Sequence, residues 1–410
     1  MPVGRALGFS ESFFHFMHGL GAYVIVIGAR LRGPVREESV RHALTRAQER
    51  HPLLRVHVVE ERGVLKFREE GTGAIPLRVG REAFEQAMED ELAHPIAGPR
   101  DPRLRALLSL GEGDAFDLIL AMDHTVCDGP SLISILNDVL ADLDGSPPAA
   151  PLPPLPSIEA LLTAHGPIPR WTGKNEDQAV PLVPKKPPRG ARRTRLLFRD
   201  LTVEETRRLA ERCRAERTSV NGALTAAGLI AAQKEAKSSG AHLGVITNVG
   251  LRDKARPPVA IEHVGNFVSF VQTYHDVSPT TPFWDLARAC RDVVASRVAA
   301  GEPQGRLAEG QLLWWQRGYL RHVAPRIRHG LGNALAISNS GRLPIEAKRG
   351  AFTLEAVYGA SSQHLIGSSI AIFVWSVPEA LRVIIATVEP IVSKEAAGRV
   401  VDDVVRALRV

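Results

Sequence analysis

With 410 residues, 44% apolar and 23% charged, the chain has ordinary globular composition and is long enough to bury a large core. Domains usually contain about 100–200 residues, so two or three are predicted. The formal charge of +6 can be accounted for by one basic run, which argues against a nucleic-acid surface. The three widely separated cysteines (Cys127, Cys213 and Cys290) argue against a disulfide framework or structural zinc and favour a reducing cytoplasm.

Apolar patterning predicts a series of strands and helices in the first part of the chain. A β-branched run predicts a strand over 22–31, and an apolar stripe every three or four residues predicts a helix over 35–50. That helix is expected to end at His51-Pro52. Further strands are predicted at 53–59, 104–110 and 116–122. No apolar run approaches the roughly 18 residues of a membrane helix, and no signal peptide is expected.

The strand predicted at 116–122 runs directly into the segment Asp123-His124-Thr125-Val126-Cys127-Asp128-Gly129. A helix is predicted from Pro130, because proline suits the first helical position and Asp128 is placed to cap the helix. His124 is therefore expected on a turn between a strand and a helix, where a rigid scaffold supports an exposed bend. Taken alone, a single histidine in such a place is more often structural than catalytic.

A long irregular segment follows this helix. Residues 147–188 contain twelve of the 29 prolines, and we place a crossover between domains at 147–195 because such long loops are uncommon within one domain. The basic run falls at its end. A solvated loop is the simpler interpretation of the run, and a docking patch for a carrier protein or a nucleotide phosphate is the functional one. Its members are Lys185, Lys186, Arg189, Arg192, Arg193 and Arg195.

Strands and amphipathic helices mix again beyond the crossover. Helices are predicted at 203–217, 219–236, 283–299 and 392–408. Strands are predicted at 243–249, 267–275, 333–338, 352–358, 369–377 and 381–388. The simplest architecture is an α/β protein of two α+β layered sandwiches, with domains 1–146 and 196–410 joined by the crossover 147–195.

Four segments together resemble a known family. HTVCDG fits the HxxxDG motif of the acyltransferase superfamily that includes chloramphenicol acetyltransferase, plant BAHD acyltransferases and nonribosomal peptide condensation domains. VRHALTRAQERHPLLRV resembles the early helix and HPLLR segment, and NVGLRDKARPPVAIEHVGNFVSFV resembles the arginine and Gly-x-Phe region of condensation domains. ISNSGRLP resembles the Ser-Asn-x-Gly segment of polyketide-associated, phthiocerol-type acyltransferases. The segments follow the family's order across nearly the whole chain.

The resemblance implies two chloramphenicol acetyltransferase-like subdomains with an active-site channel at their interface. It implies that His124 is the general base, which suits an imidazole whose ordinary pKa is about 6.5. Asp128 would point away from the substrate and pair with Arg252, so that it supports the turn rather than orients His124. Gly129 would permit the bend before the helix.

Other residues are less clearly assigned. Three residues are candidate oxyanion donors or channel residues: Asn266, Ser338 and Asn339. Phe267, next to Asn266, is a candidate channel residue. Structural roles in turns or at strand ends explain these polar residues equally well. The family often has a second histidine where this chain has Asp123. Adjacent residues of an extended segment face opposite ways, so Asp123 need not touch the His124 ring.

Cys127 lies three residues from His124, but no thiol-hydrolase signature accompanies it, and a nucleophilic thiol is not expected.

The resemblance implies transfer of an acyl group from a coenzyme A or acyl-carrier-protein thioester to a small alcohol, by direct attack and without a covalent enzyme intermediate. It implies no permanently bound cofactor and no metal; the acyl-CoA or phosphopantetheinyl carrier is a co-substrate. Natural-product or lipid biosynthesis is the expected context. The protein is expected to be a cytoplasmic monomer that does not bind nucleic acid and does not span a membrane. Amide-forming condensation of carrier-bound substrates and a non-catalytic docking module are the alternatives.

Overall fold

A computed structural model describes most of the chain: residues 4–21, 23–96, 98–164, 166–169, 171, 189–237, 239–315, 333–342, 344–363, 368–376 and 380–409. Lys185 and Lys186 of the basic run lie outside these ranges. In chain order, the described helices are α1 Phe9–Gly19, α2 Glu37–Arg50, α3 Phe84–Ala93, α4 Gly129–Leu143, α5 Ile158–Thr163, α6 Val203–Ala215, α7 Val220–Ala236, α8 Phe283–Ala299, α9 Glu302–Trp315 and α10 Lys394–Leu408. The described strands are β1 Val24–Arg32, β2 His57–Glu61, β3 Val64–Arg68, β4 Leu77–Gly80, β5 Leu104–Leu110, β6 Ala115–Asp123, β7 Arg193–Leu201, β8 Ala241–Gly250, β9 Val268–Val277, β10 Asn333–Arg342, β11 Lys348–Arg349, β12 Phe352–Ser361, β13 Ser368–Ser376 and β14 Leu381–Glu389.

The chain divides into two compact units that are interleaved in sequence. Unit 1 contains Met1–Pro167, Leu251–Val268 and Arg342–Ser362, and unit 2 contains Ile168–Gly250, Ser269–Gly341 and Gln363–Val410. The predicted domains were continuous segments, 1–146 and 196–410. The difference arises because two segments from beyond the crossover pack with the first part of the chain.

Unit 1 is built on a six-stranded sheet of order β11-β12-β1-β6-β5-β4. The central strand β1 is antiparallel to both β12 and β6. Its register pairs Val24 with Asp123, so the start of β1 lies beside the end of β6. Since β6 is almost wholly buried, it holds the residue that follows it, His124, at a fixed place on the sheet edge.

Helix α3 packs directly on β1, and Gly28 permits this close approach. A Cβ at Gly28 would lie 2.7 Å from the Phe84 ring and would also meet Met88. We therefore expect Gly28→Ala to lower the free energy of unfolding by about 1–3 kcal/mol, because overpacking forces neighbouring side chains out of place. Chemical denaturation measures this. Gly73→Ala, whose new Cβ would have open space, is the control and should change stability by less than about 0.5 kcal/mol.

Unit 2 has its own six-stranded sheet of order β7-β14-β13-β10-β8-β9. β8 and β10 are parallel, whereas β14 is antiparallel to its neighbours β13 and β7. Apolar side chains from this sheet and from α7, α8 and α10 form one core; its fully buried members include Leu224, Leu229, Leu243, Val245, Leu335, Ile337, Ile372, Val383, Ile385, Val401 and Val404. The α/β class and the two sheet-containing halves predicted from the sequence are confirmed.

Some local predictions were wrong in detail. The strand predicted at 53–59 begins only at His57, because Pro52 starts a short 3₁₀ turn, Pro52–Arg55, for which its restricted φ is suited. The crossover 147–195 contains α5, which Ser157 caps by accepting a hydrogen bond from the Ala160 amide. Arg193 and Arg195, at the end of the basic run, belong to β7 rather than to a loop.

Among the described residues, no helix is both long and apolar enough to cross a bilayer.

Candidate active site

The segment that carries His124 is a short turn between β6 and α4. Asp128 caps α4: its Oδ1 accepts hydrogen bonds from the Ser131 amide at 3.0 Å and from Ser131 Oγ at 2.6 Å. Gly129 is the first helical residue and Pro130 follows in the first turn. This cap satisfies backbone donors that would otherwise be unpaired at a buried helix start, and it fixes where the turn ends.

Arg252 connects this cap to the segment 251–267. Its Nη2 donates to Asp128 Oδ1 at 2.7 Å, and its Nε lies 3.3 Å from Asp128 Oδ2. Its Nη1 donates to the carbonyls of Ala260 and His263 at 3.0 and 2.9 Å, and its guanidinium lies 4.6 Å from the centroid of the Phe267 ring. Both side chains of the ion pair are nearly buried, so each charge is compensated by the other.

The backbone of His124 is held on both sides. Its amide donates to the Tyr23 carbonyl at 3.3 Å, which extends the ladder between β1 and β6. Its carbonyl accepts a hydrogen bond from Asn266 Nδ2 at 2.8 Å. Because the ring follows the backbone, these contacts restrict where the imidazole can be.

The imidazole of His124 lies among aromatic rings. It stacks on Phe14 with a centroid separation of 4.1 Å and an interplanar angle of 12°. Tyr23 approaches it edge-on at 6.2 Å. Nδ1 is buried and makes no direct hydrogen bond within the described residues. The stack with Phe14 and the backbone contacts restrict the orientation of the ring, and a catalytic base needs such positioning.

Burial lowers the pKa of His124 below its ordinary value of 6.5. The backbone carbonyls of His124 and Cys127 and the carboxylates of Asp128 and Asp123 oppose this effect, since each favours a protonated ring. The net direction is downward, so the imidazole is neutral, and able to accept a proton, at neutral pH.

The chain is similar to known proteins in sequence and in fold. Residues 188–358 match the model of the phthiocerol/phthiodiolone dimycocerosyl transferase C-terminus. The structure of polyketide synthase associated protein 5 from Mycobacterium tuberculosis covers 99% of this chain and 98% of its own, with a TM-score of 0.72 and 18% identity. Trichothecene 15-O-acetyltransferase from Fusarium sporotrichioides covers 99% and 95%, with a TM-score of 0.71 and 13% identity.

A curated nonribosomal peptide synthetase, kk1B from Curvularia clavata, is 28% identical over 173 residues, which is 40% of this chain but 1% of that enzyme. The chain has the fold of the condensation-domain and chloramphenicol acetyltransferase-like superfamily. The resemblance stated from the sequence is thereby confirmed, and the fold is that of acyltransferases and condensation-type enzymes related to polyketide and nonribosomal peptide synthesis.

Asp123, the residue before His124, is fully buried. Its Oδ1 accepts hydrogen bonds from the amide and the hydroxyl of Thr125, at 2.9 and 2.6 Å. Its carboxylate is thus engaged by Thr125, and its effect on the His124 ring is a minor electrostatic one.

Cys127 has no features of a nucleophile. It is fully buried, and its Sγ donates to the Asp123 carbonyl at 3.3 Å. Burial raises the pKa of the thiol well above its ordinary value, and the charges of Asp128 and Asp123 add to this effect. A thiolate is therefore disfavoured at this position.

The candidate oxyanion donors belong to different units of the chain. Asn266 is buried in unit 1, where its Nδ2 is used on the His124 carbonyl, which makes it a support of the turn. Ser338 and Asn339 lie on β10 of unit 2; Ser338 is half-buried, and Asn339 is exposed and accepts a hydrogen bond from the Gly341 amide through its Oδ1. Phe267 is buried beneath Arg252.

Sequence reasoning missed helix α1, which supplies Phe14. The signal was present: Phe9, Phe13, Phe14 and Phe16 are four of the 13 phenylalanines of the chain within eight residues, and Glu11 caps the helix start through the Gly8 amide. Such a cluster at helical spacing in a chain with 5% aromatic residues indicates an aromatic face. What the pattern does not reveal is which ring that face contacts.

Proposed function

We propose that this protein transfers an acyl group from a thioester to the hydroxyl of a small alcohol, with His124 as the general base. The observation that carries the proposal is the state of His124: a neutral imidazole, restrained by Tyr23, Asn266 and Phe14, at the turn between β6 and α4. A positioned base of this kind typically contributes about 10²–10⁴-fold in rate.

The proposed reaction has two stages. His124 takes the proton from the acceptor hydroxyl as its oxygen attacks the thioester carbonyl, and a tetrahedral oxyanion forms. The oxyanion then collapses, the C–S bond breaks, and the leaving thiolate takes the proton back from the imidazolium, so that the products are an ester and a free thiol. Since Nδ1 is buried, we assign both proton transfers to Nε2. No covalent enzyme intermediate is required.

An alcohol acceptor is favoured by two similarities. The matched family model over 188–358 describes a dimycocerosyl transferase, and one structural neighbour is an O-acetyltransferase. The proposed donor is acyl-coenzyme A or an acyl group on the phosphopantetheine arm of a carrier protein; either acts as a co-substrate that leaves after each turnover.

Amide-forming condensation is the second candidate, and the nonribosomal peptide synthetase similarity is the observation that favours it. The same base would take a proton from an amine instead of a hydroxyl. The acceptor therefore distinguishes the two reactions, because the donor chemistry is shared.

The test measures release of free thiol. The protein is incubated with acyl-CoA thioesters of several chain lengths and, separately, with an acyl-loaded carrier protein, each with alcohols or with amines. Thiol release that depends on an alcohol and yields an ester supports the proposal; dependence on an amine supports condensation. If no donor gives acceptor-dependent thiol release above that of His124→Ala, a non-catalytic docking module is the remaining interpretation.

The pH dependence of the reaction follows from the lowered pKa of His124. Above that pKa the imidazole is neutral and competent, and below it the imidazolium cannot accept a proton. We expect kcat/KM to be constant through neutral pH and to fall along an acid limb centred below the ordinary histidine value of about 6.5. A pH profile with a substrate that does not ionise in this range measures the limb. A limb centred above about 6.5 would contradict the assignment.

A further inference from the structure

Asp123, the residue before the proposed base, forms hydrogen bonds that span His124. Asp123 ends β6, and its Oδ1 receives both the amide and the hydroxyl hydrogen bonds of Thr125. His124 is the single residue between them. Hydrogen bonds from one residue to the second residue after it restrict the backbone of the residue they enclose, as in an Asx turn.

The buried carboxylate of Asp123 faces two basic side chains. Arg103 Nη1 lies 3.7 Å from Oδ2, and the Arg103 side chain is only 6% exposed. The Arg103 carbonyl also accepts the Asp123 amide at 3.0 Å, so the two residues are joined through backbone and charge. An ionised carboxylate without such a counter-charge would be costly at a fully buried position.

His18 supplies the second partner. Its Nε2 lies 2.9 Å from the Ile96 amide nitrogen and 3.2 Å from the Ile96 carbonyl oxygen, which holds the ring in place. Nδ1 lies 3.6 Å from Asp123 Oδ1.

Helix α1 connects these contacts to the base itself. Phe14, which stacks on His124, and His18, which faces Asp123, are four residues apart and therefore lie on the same face of α1. One face of α1 therefore contacts both His124 and Asp123.

We propose that Asp123 is a positioning residue for His124, and that Arg103 and His18 are the partners that keep its carboxylate buried and directed at Thr125. The inference rests on the proposed role of His124 as the base.

The test uses substitutions that change the turn without changing the base. Asp123→Ala removes the acceptor for both Thr125 hydrogen bonds, and we expect kcat to fall about tenfold or more while KM for the thioester changes less than about twofold. Asp117→Ala is the matched control: this aspartate lies on the same strand, pairs with Arg30 near the surface, and should leave kcat unchanged.

Thr125 offers a second pair of variants should Asp123→Ala fail to fold. Thr125→Val removes the hydroxyl with little change of shape, whereas Thr125→Ser keeps the hydroxyl and removes the methyl group. We expect Thr125→Val to lower kcat several-fold and Thr125→Ser to retain most of the wild-type kcat. Loss of mere packing would give the opposite order, because valine fills the site better than serine.

The outcomes separate the two proposals. Wild-type kcat in both Asp123→Ala and Thr125→Val, with an inactive His124→Ala, would overturn the positioning role and leave the base assignment intact. Unchanged turnover in His124→Ala would instead overturn the proposed function. A spectroscopic check is available in Asp123→Asn, where loss of the nearby negative charge should lower the His124 pKa further, observed by NMR of ring-labelled histidine.

Discussion

His124→Ala is expected to lower kcat by about 10²–10⁴-fold while the protein stays folded. The rate is expected to fall because the substitution removes the proposed proton acceptor. The fold survives because the lost contacts are a ring stack with Phe14 and an edge contact with Tyr23, each typically about 0.5–1.5 kcal/mol. The backbone hydrogen bonds of residue 124 do not depend on its side chain.

Initial rates of thiol release and a thermal unfolding curve measure the two parts of this prediction. His42→Ala is the matched control, because His42 is an exposed histidine on α2 and should leave both quantities unchanged. Equal rates for wild type and His124→Ala, at equal folded fractions, would show that His124 is not the base.

Arg252→Ala is expected to lower the free energy of unfolding by about 3–5 kcal/mol, because it leaves the Asp128 carboxylate buried without its counter-charge. The substitution also removes the donors to the Ala260 and His263 carbonyls, so the segment 251–267 loses its attachment to the cap of α4. Activity should fall along with stability, since Asn266 of the same segment holds the His124 carbonyl.

Urea denaturation measures the loss, with Arg46→Ala as control. Arg46 pairs with Glu49 on the exposed face of α2, where ion pairs contribute about 0–1 kcal/mol. The double variant Asp128→Asn/Arg252→Met should be less destabilised than the sum of the two single changes, because neither charge is then left alone. Additive losses would mean that the two residues do not act as a pair.

Much of the local structure could be predicted from the sequence. The strand at 104–110 and the helix at 283–299 have the predicted bounds, because each is a run of apolar residues with a clear period, limited by turn or proline residues. Tertiary pairing could not be predicted in the same way. β12 joins the sheet of unit 1 with Ser361 opposite Ile25, and a pairing over such a separation leaves no local periodicity in the chain.

The candidate site, too, could be predicted from the sequence only in its local features. That His124 follows a buried strand and precedes a helix capped by Asp128 could be predicted from the sequence, since residue order and local hydrogen bonding decide both. Three sets of contacts became known only from the folded chain: Phe14 stacks on His124, Arg103 and His18 face Asp123, and Asn266 donates a hydrogen bond to the His124 carbonyl. These contacts join residues distant in the chain, and their geometry depends on how whole elements pack, which a linear pattern does not encode.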